Sequence, residues 1–158
     1  MWQYMLLLLF LLVLAAVGFL AATSYLSKKP ANLGLDNGRL APCPDSPNCV
    51  TSVTGDLAHE MPPWGYQCPD VLVMPALKKI VAESPRARIV TETDDYLHAE
   101  FVSPVFRFVD DVEFYIDKSN KVVHFRSASR AGKSDFGVNR KRMEELRRQF
   151  YDNTVPAG

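Results

Sequence analysis

The chain has no surplus of charge: 18 Lys and Arg stand against 18 Asp and Glu over 158 residues. Nucleic-acid recognition needs a basic excess or a basic stripe, so composition excludes that class of partner. Cysteine is scarce, with three residues at 43, 49 and 68. The fold must therefore rest on a hydrophobic core rather than on a disulfide framework, and a chain of this length can bury one. No internal repeat or low-complexity tract appears, and no Gly-x-Ser-x-Gly nucleophile elbow is present. No Lys or Arg precedes the long apolar run near the start, and a cleavable signal peptide normally carries a basic n-region there.

That run is the most prominent feature present. The first 27 residues carry no charged side chain, and Met5–Leu26 reads MLLLLFLLVLAAVGFLAATSYL. As a helix, its 22 residues would span roughly 33 Å, enough for a hydrocarbon core of ~30 Å. Small residues at Ala15–Gly18 and Ala21–Ser24 leave cleavage open, but the length favours a retained single-pass anchor through residues 5–26. Orientation is contested. Lys28 and Lys29 follow the span and favour the cytoplasm by the positive-inside rule. Cys43 and Cys49 flank a Pro-Asp-Ser-Pro-Asn turn that could close a disulfide, which persists only in oxidising compartments. We expect an extracytoplasmic domain, periplasmic or equivalent.

Setting aside residues 1–29 removes two lysines and no acid, leaving 16 basic against 18 acidic side chains, about −2. We expect an anchor at 1–29, a linker at 30–42 (PANLGLDNGRLAP) and one globular domain at 43–158. The spacing Cys43-x5-Cys49-x9-His59-x8-Cys68 lacks the close pairs of structural zinc sites, so a disulfide with one spare thiol is favoured over a metal. No cofactor is implied. Five prolines between 43 and 70 predict an irregular stretch, with Trp64 and Tyr66 pinning it to the core.

Periodicity then predicts a helix over Val73–Glu83 and strands at Arg88–Thr93, Tyr96–Val102, Val112–Asp117 and Lys121–Ser127, paired as two hairpins. A last helix is expected from about Phe136 to Tyr151, with Val138, Met143, Leu146 and Phe150 inward and Asp135 or Ser134 as N-cap. On its wet side Lys141–Glu145 and Glu144–Arg148 are the expected ion pairs. The expected class is α+β: an antiparallel sheet of about four strands, with the two helices on one face.

The other parity of those strands carries His98, Glu100, Glu113, Tyr115, His124 and Arg126. Three readings are open: a solvated face of cross-strand pairs, a covered polar pocket, or a metal site built from His98, Glu100 and His124. The stretch Arg126–Arg140 adds hydroxyls, basic side chains and glycine before a helix start, which favours an anion. It is not a phosphate loop, because Ser127 stands where that pattern needs glycine. The bland alternative is a helix cap, with Arg130 and Arg140 held by Asp110, Asp111 or Asp135. Ser127 and Ser129 near His124 give no triad spacing.

Pro42–Val50, Asp110–Phe114, Arg126–Arg130 and Ser134–Arg140 together resemble the domain-of-unknown-function family 1499 of bacteria and plastids, over roughly residues 40–150. Thr51 departs from the serine usual there. The resemblance implies no activity. It implies that Cys43, Cys49, Glu113, Arg126, Ser129, Arg130, Asp135, Asn139 and Arg140 belong to one structural or binding arrangement.

The leading expectation is a membrane-anchored, non-catalytic binding or accessory module for an anionic small molecule or a membrane-protein partner. Its candidate ligand residues are Glu100, Glu113, His124, Arg126, Ser129, Arg130, Asn139 and Arg140. The alternative is a hydrolase or metal-dependent enzyme using His98, Glu100, Glu113 and His124. An accessory subunit would show an exposed apolar patch near Trp64 and Tyr66.

Overall fold

The computed structural model describes residues 2–53, 55 and 57–154; the last four residues of the expected 43–158 domain lie outside them. Helix α1, Trp2–Tyr25, has a mean hydropathy of 3.0 over its most apolar window, and none of that window is buried. It is the one helix among the described residues long and apolar enough to cross a membrane. Hydroxyls take over its last carbonyls: Thr23 Oγ1 donates to the Leu20 oxygen and Ser27 Oγ to that of Ser24, 2.8 and 2.7 Å.

The stretch expected as a linker holds a hairpin. Strands β1, Leu35–Asp36, and β2, Arg39–Leu40, pair antiparallel around Asn37 and Gly38. Both turn residues have positive φ, 51° and 74°, the conformation for which Asn-Gly is the preferred sequence.

Next come β3, Cys49–Thr51, and β4, Trp64–Gly65, then a single 3-10 turn at Asp70–Leu72. Helix α2 runs Val73–Glu83, the span the periodicity predicts. Strands β5, Ala87–Glu92, β6, Tyr96–Val102, β7, Val109–Asp117, and β8, Val122–Ser129, precede helix α3, Val138–Thr154.

The class is α+β, as expected, but the sheet has six strands rather than four. Its order is β3-β8-β7-β6-β5, with each neighbouring pair antiparallel and β4 also pairing with β8. The two extra strands come from the proline-rich stretch expected to be irregular. They cap the outer edge of β8, β3 along Arg126–Ala128 and β4 along Val122–Val123, and so close an edge that would otherwise be open to another chain. Strands of two or three residues are too short to show a period of two.

The apolar face of β6, β7 and β8 packs against α2 and α3. Leu97, Ala99, Val112, Phe114, Ile116, Val123 and Phe125 meet Leu77, Ile80, Val81, Met143, Leu146 and Phe150. Trp64 sits at the centre, its ring centroid 5.5 Å from Phe114, 5.2 Å from Phe125 and 5.6 Å from Phe150. Trp64 and Tyr66 are both buried, while Val71 and Leu72 beside them are exposed.

Two details of α3 differ from expectation. It starts at Val138, which is largely exposed, and Phe136 lies outside it at φ 53°. Among the described residues its intrahelical ion pairs are Arg148 with Glu145 and Asp152, not the two expected. Phe125→Ala in the full chain should lower unfolding free energy by about 3–5 kcal/mol, the cost of emptying a packed aromatic site. A urea titration in detergent reads this as a lower midpoint at unchanged slope.

Candidate functional site

The strand pairing aligns the polar parity across the sheet. His98 lies opposite Glu113, which lies opposite Arg126; Glu100 lies opposite Asp111, and Tyr115 opposite His124. The face is not solvated. His98 and Asp111 are each 1% exposed, Glu113 0% and Arg126 2%. Buried charge requires pairing, and two linked groups supply it.

In the first, Arg126 Nε donates to Glu113 Oε2 at 2.8 Å. Glu113 Oε1 accepts from the Tyr96 hydroxyl and from the Gly34 N–H, both 2.8 Å. Arg126 Nη1 donates to the Pro42 carbonyl at 3.2 Å. One ion pair thus holds both ends of the segment carrying β1 and β2, which lies across the face as a strap.

In the second, Arg130 forks onto Asp111, Nε to Oδ2 at 2.7 Å and Nη2 to Oδ1 at 2.6 Å, and Nη2 also reaches Glu100 at 2.5 Å. His98 Nε2 donates to Asp111 Oδ1 at 2.7 Å, and Arg88 Nη2 to Glu100 Oε2 at 2.7 Å. Burial pushes the Asp111 carboxyl up, but the hydrogen bonds from Arg130 and His98 outweigh it and hold the group below its ordinary range. Glu100 behaves likewise: burial opposes, and Arg88 and Arg130 together prevail. Burial, then the Glu113 charge, raises the Tyr96 hydroxyl. The bond to Asp111 raises the Arg130 guanidinium.

Three of the expected ligand residues lie elsewhere. Ser129 and Asn139 are on the helix side of the sheet. Ser127 Oγ donates to Asn139 Oδ1 at 2.5 Å. Asn139 Nδ2 contacts the Ser129 hydroxyl at 3.0 Å, the Asn48 carbonyl at 2.9 Å and Asp135 at 2.8 Å. Arg142 bonds Asn139 Oδ1 at 2.6 Å and Asp110 at 2.5 Å. Arg140 reaches, among the described residues, the Glu60 carbonyl, at 3.4 and 3.5 Å.

Asp135 caps α3 by accepting from the Gly137 and Asn139 N–H groups, 3.0 and 2.8 Å. Its own carboxylate therefore sits where an anion would bind.

His124 stands apart from both charged groups. Its Nδ1 lies 3.2 Å from Ser52 Oγ, and its ring stacks on Tyr115 at 6.3 Å. It lines an open cleft of about 360 Å³ with Arg39, Tyr115, Asp117 and Asn120. Ser127 occupies the other face, so no triad forms with His124. Among the described residues no three His, Cys, Asp or Glu side chains cluster as a metal site, which leaves the His98/Glu100/His124 alternative without its geometry. Cys43 and Cys49 are disulfide-bonded and Cys68 is a free thiol, so the four-residue zinc spacing has no site either.

Compared with known families, the chain matches the one described as "Protein of unknown function (DUF1499)" over residues 39–150. The chain belongs to this family. No curated protein and no solved structure matches it.

Three of the residues that carried the DUF1499 resemblance, Arg126, Ser129 and Asn139, hold the ends of the disulfide loop 43–49. Arg126 holds the Pro42 carbonyl from one face of the sheet. From the other face, Asn139 Nδ2 and the Ser129 N–H hold the Asn48 carbonyl. The Asn48 side chain donates to the Gly132 carbonyl at 2.8 Å.

Sequence reasoning passed over Tyr96, Arg39 and Arg142. Tyr96 shares the parity of His98, and Asn37-Gly38 signals the hairpin that carries Arg39; Arg142 carries no local signal.

Glu113→Gln should cost about 3–5 kcal/mol, because it leaves the Arg126 charge buried without its partner. The double change Glu113→Gln/Arg126→Met should cost less than the sum of the two single changes, read by a urea double-mutant cycle. Asp111 and Glu100 titrate lower when folded. Their contribution is therefore complete above the unfolded carboxylate range, near ~4, and is lost as pH falls through the folded values. The urea midpoint should hold from neutral pH to about 5 and fall below ~4. Arg130→Gln should lower the neutral midpoint and flatten that fall.

Proposed function

We propose that the chain is a membrane-tethered binding module with no catalytic step of its own. The group it binds enters the cleft beside His124 and Arg39. One observation carries this reading: Arg126 and Arg130, the cations first expected to meet an anion, are already neutralised by Glu113, Asp111 and Glu100. Arg39, by contrast, is exposed and makes no ion pair among the described residues. Tyr115 and Asn120 add polar groups to the cleft walls, and both oxygens of Asp117 are turned onto Asn120, at 3.0 and 2.7 Å. A volume of about 360 Å³ suits a small molecule bearing a carboxylate or phosphate. Because Gly38 and Arg39 belong to the strap, occupancy of the cleft is coupled to the segment next to the membrane anchor.

The anchor is retained in this reading. Its 24 residues reach roughly 36 Å, longer than the apolar core of a cleavable signal peptide. The domain lies on the extracytoplasmic side, since the Cys43–Cys49 disulfide belongs to an oxidising compartment.

Two measurements test the proposal. In thermal unfolding of the full chain in detergent, inorganic phosphate should raise Tm, with ~2.7 kcal/mol of stabilisation at a hundredfold excess over Kd. Arg39→Ala and His124→Ala should abolish the shift while Arg148→Ala keeps it; an undiminished shift in the first two sinks the cleft. In intact cells, a membrane-impermeant maleimide should label Cys68 without permeabilisation. Labelling that requires permeabilisation places the domain in the cytoplasm.

A further inference from the structure

Beyond α1, the exposed large apolar side chains are few, and three of them gather at one end of the sheet. Phe136 is 92% exposed, Val105 74% and Val138 48%. Val105 tips the 103–108 loop between β6 and β7, which is closed by the Ser103 N–H to the Phe108 carbonyl and the Phe108 N–H to Ser103 Oγ, 2.8 and 2.9 Å. Phe136 tips the 130–137 loop between β8 and α3, whose first residue donates its N–H to the Val109 carbonyl at 3.0 Å. A groove of about 370 Å³ is lined by Pro104 from the first loop and Val138 at the end of the second, so the two loops lie side by side. Arg107 and Lys133 flank the tips, both exposed and without an ion pair among the described residues.

We propose that this end of the domain rests on the lipid surface that α1 enters. Val105 and Phe136 sit among the headgroups, and Arg107 and Lys133 lie against anionic lipid. The tether selects this occupant. Gly34, bonded to Glu113, follows the end of α1 at Tyr25 by nine residues, so at ~3.3–3.6 Å per residue the face cannot move more than about 30 Å from it. From Gly34 the strap runs along the β7 direction, past Glu113 toward the cleft with Tyr115 and Asp117. The chain thus heads away from the two loops once it is on the face. Apolar tips flanked by unpaired cations are the composition that binds an anionic bilayer interface.

This inference rests on reading α1 as a membrane span, and the experiment separates the two. The full chain, in a Cys68→Ser background, is reconstituted into phosphatidylcholine vesicles with and without phosphatidylglycerol. A single environment-sensitive fluorophore is placed at Phe136→Cys, Val105→Cys, Val71→Cys or Ser119→Cys. All four positions are on loops or turns, with Val71 and Ser119 serving as references away from the two loops. The expected result is blue-shifted emission at 136 and 105, quenched by headgroup-depth nitroxide lipid, with neither effect at 71 or 119. Arg107→Gln/Lys133→Gln, or omission of phosphatidylglycerol, should reduce the quenching at 136. Protein that floats with the vesicles after alkaline washing but shows no quenching at 136 and 105, or stronger quenching at 71, overturns the docking and leaves the span intact. Protein that fails to float overturns the span itself.

Discussion

The contact between Glu113 and Arg126 is the constraint on which most of this molecule depends. Both side chains project from the middle strands of a sheet whose opposite face carries the apolar core, and both are sealed from water. A charge in that position is tolerable only with its counter-charge and a full set of hydrogen bonds. Glu113 obtains two of those bonds from Tyr96 and Gly34, and Arg126 obtains one from Pro42. Satisfying the pair therefore requires the segment that follows α1 to lie across the sheet. The strap is the remaining shell of a buried ion pair.

The sheet divides its polar residues into two jobs. On the strap side, Arg130 cross-links Asp111 and Glu100, and His98 completes Asp111. On the helix side, Asn139 collects Ser127, Ser129, Asp135 and the Asn48 carbonyl. Arg126, on the strap side, holds the short disulfide loop at Pro42, and Asn139, on the helix side, holds it at Asn48. Of the DUF1499 residues, Arg126, Ser129 and Asn139 thus read as a clamp on the N-terminal segment, while His124 and the exposed Arg39 stand apart from both charged groups. That arrangement accounts for the lack of a reactive constellation at the place where titratable residues are densest.

Legibility in the sequence followed element length and contact range. Helix α2 and strand β6 match their predicted spans because eleven and seven residues suffice to show a period. The polar parity of β6, β7 and β8 was legible for the same reason. Strands β3 and β4 were not, since two or three residues carry no period and their pairing with β8 spans much of the chain. The strap was legible in part, through Asn37-Gly38, but its docking was not: the bond from Gly34 to Glu113 joins residues 79 apart. Ser129 and Arg126, grouped by the family resemblance, lie on opposite faces of β8. Odd and even positions of one strand face opposite ways, so adjacency in the chain there means separation in space.

By itself the sequence determined the apolar helix, the α+β class, the core face and the pool of polar side chains, since each depends on periodicity or composition within a short window. Only the tertiary structure decided that the polar face is buried, which charges cancel, and that His124 and Arg39 remain accessible. Those outcomes depend on long-range register and on a segment folding back over the sheet, and neither leaves a local trace in the residues that make it happen.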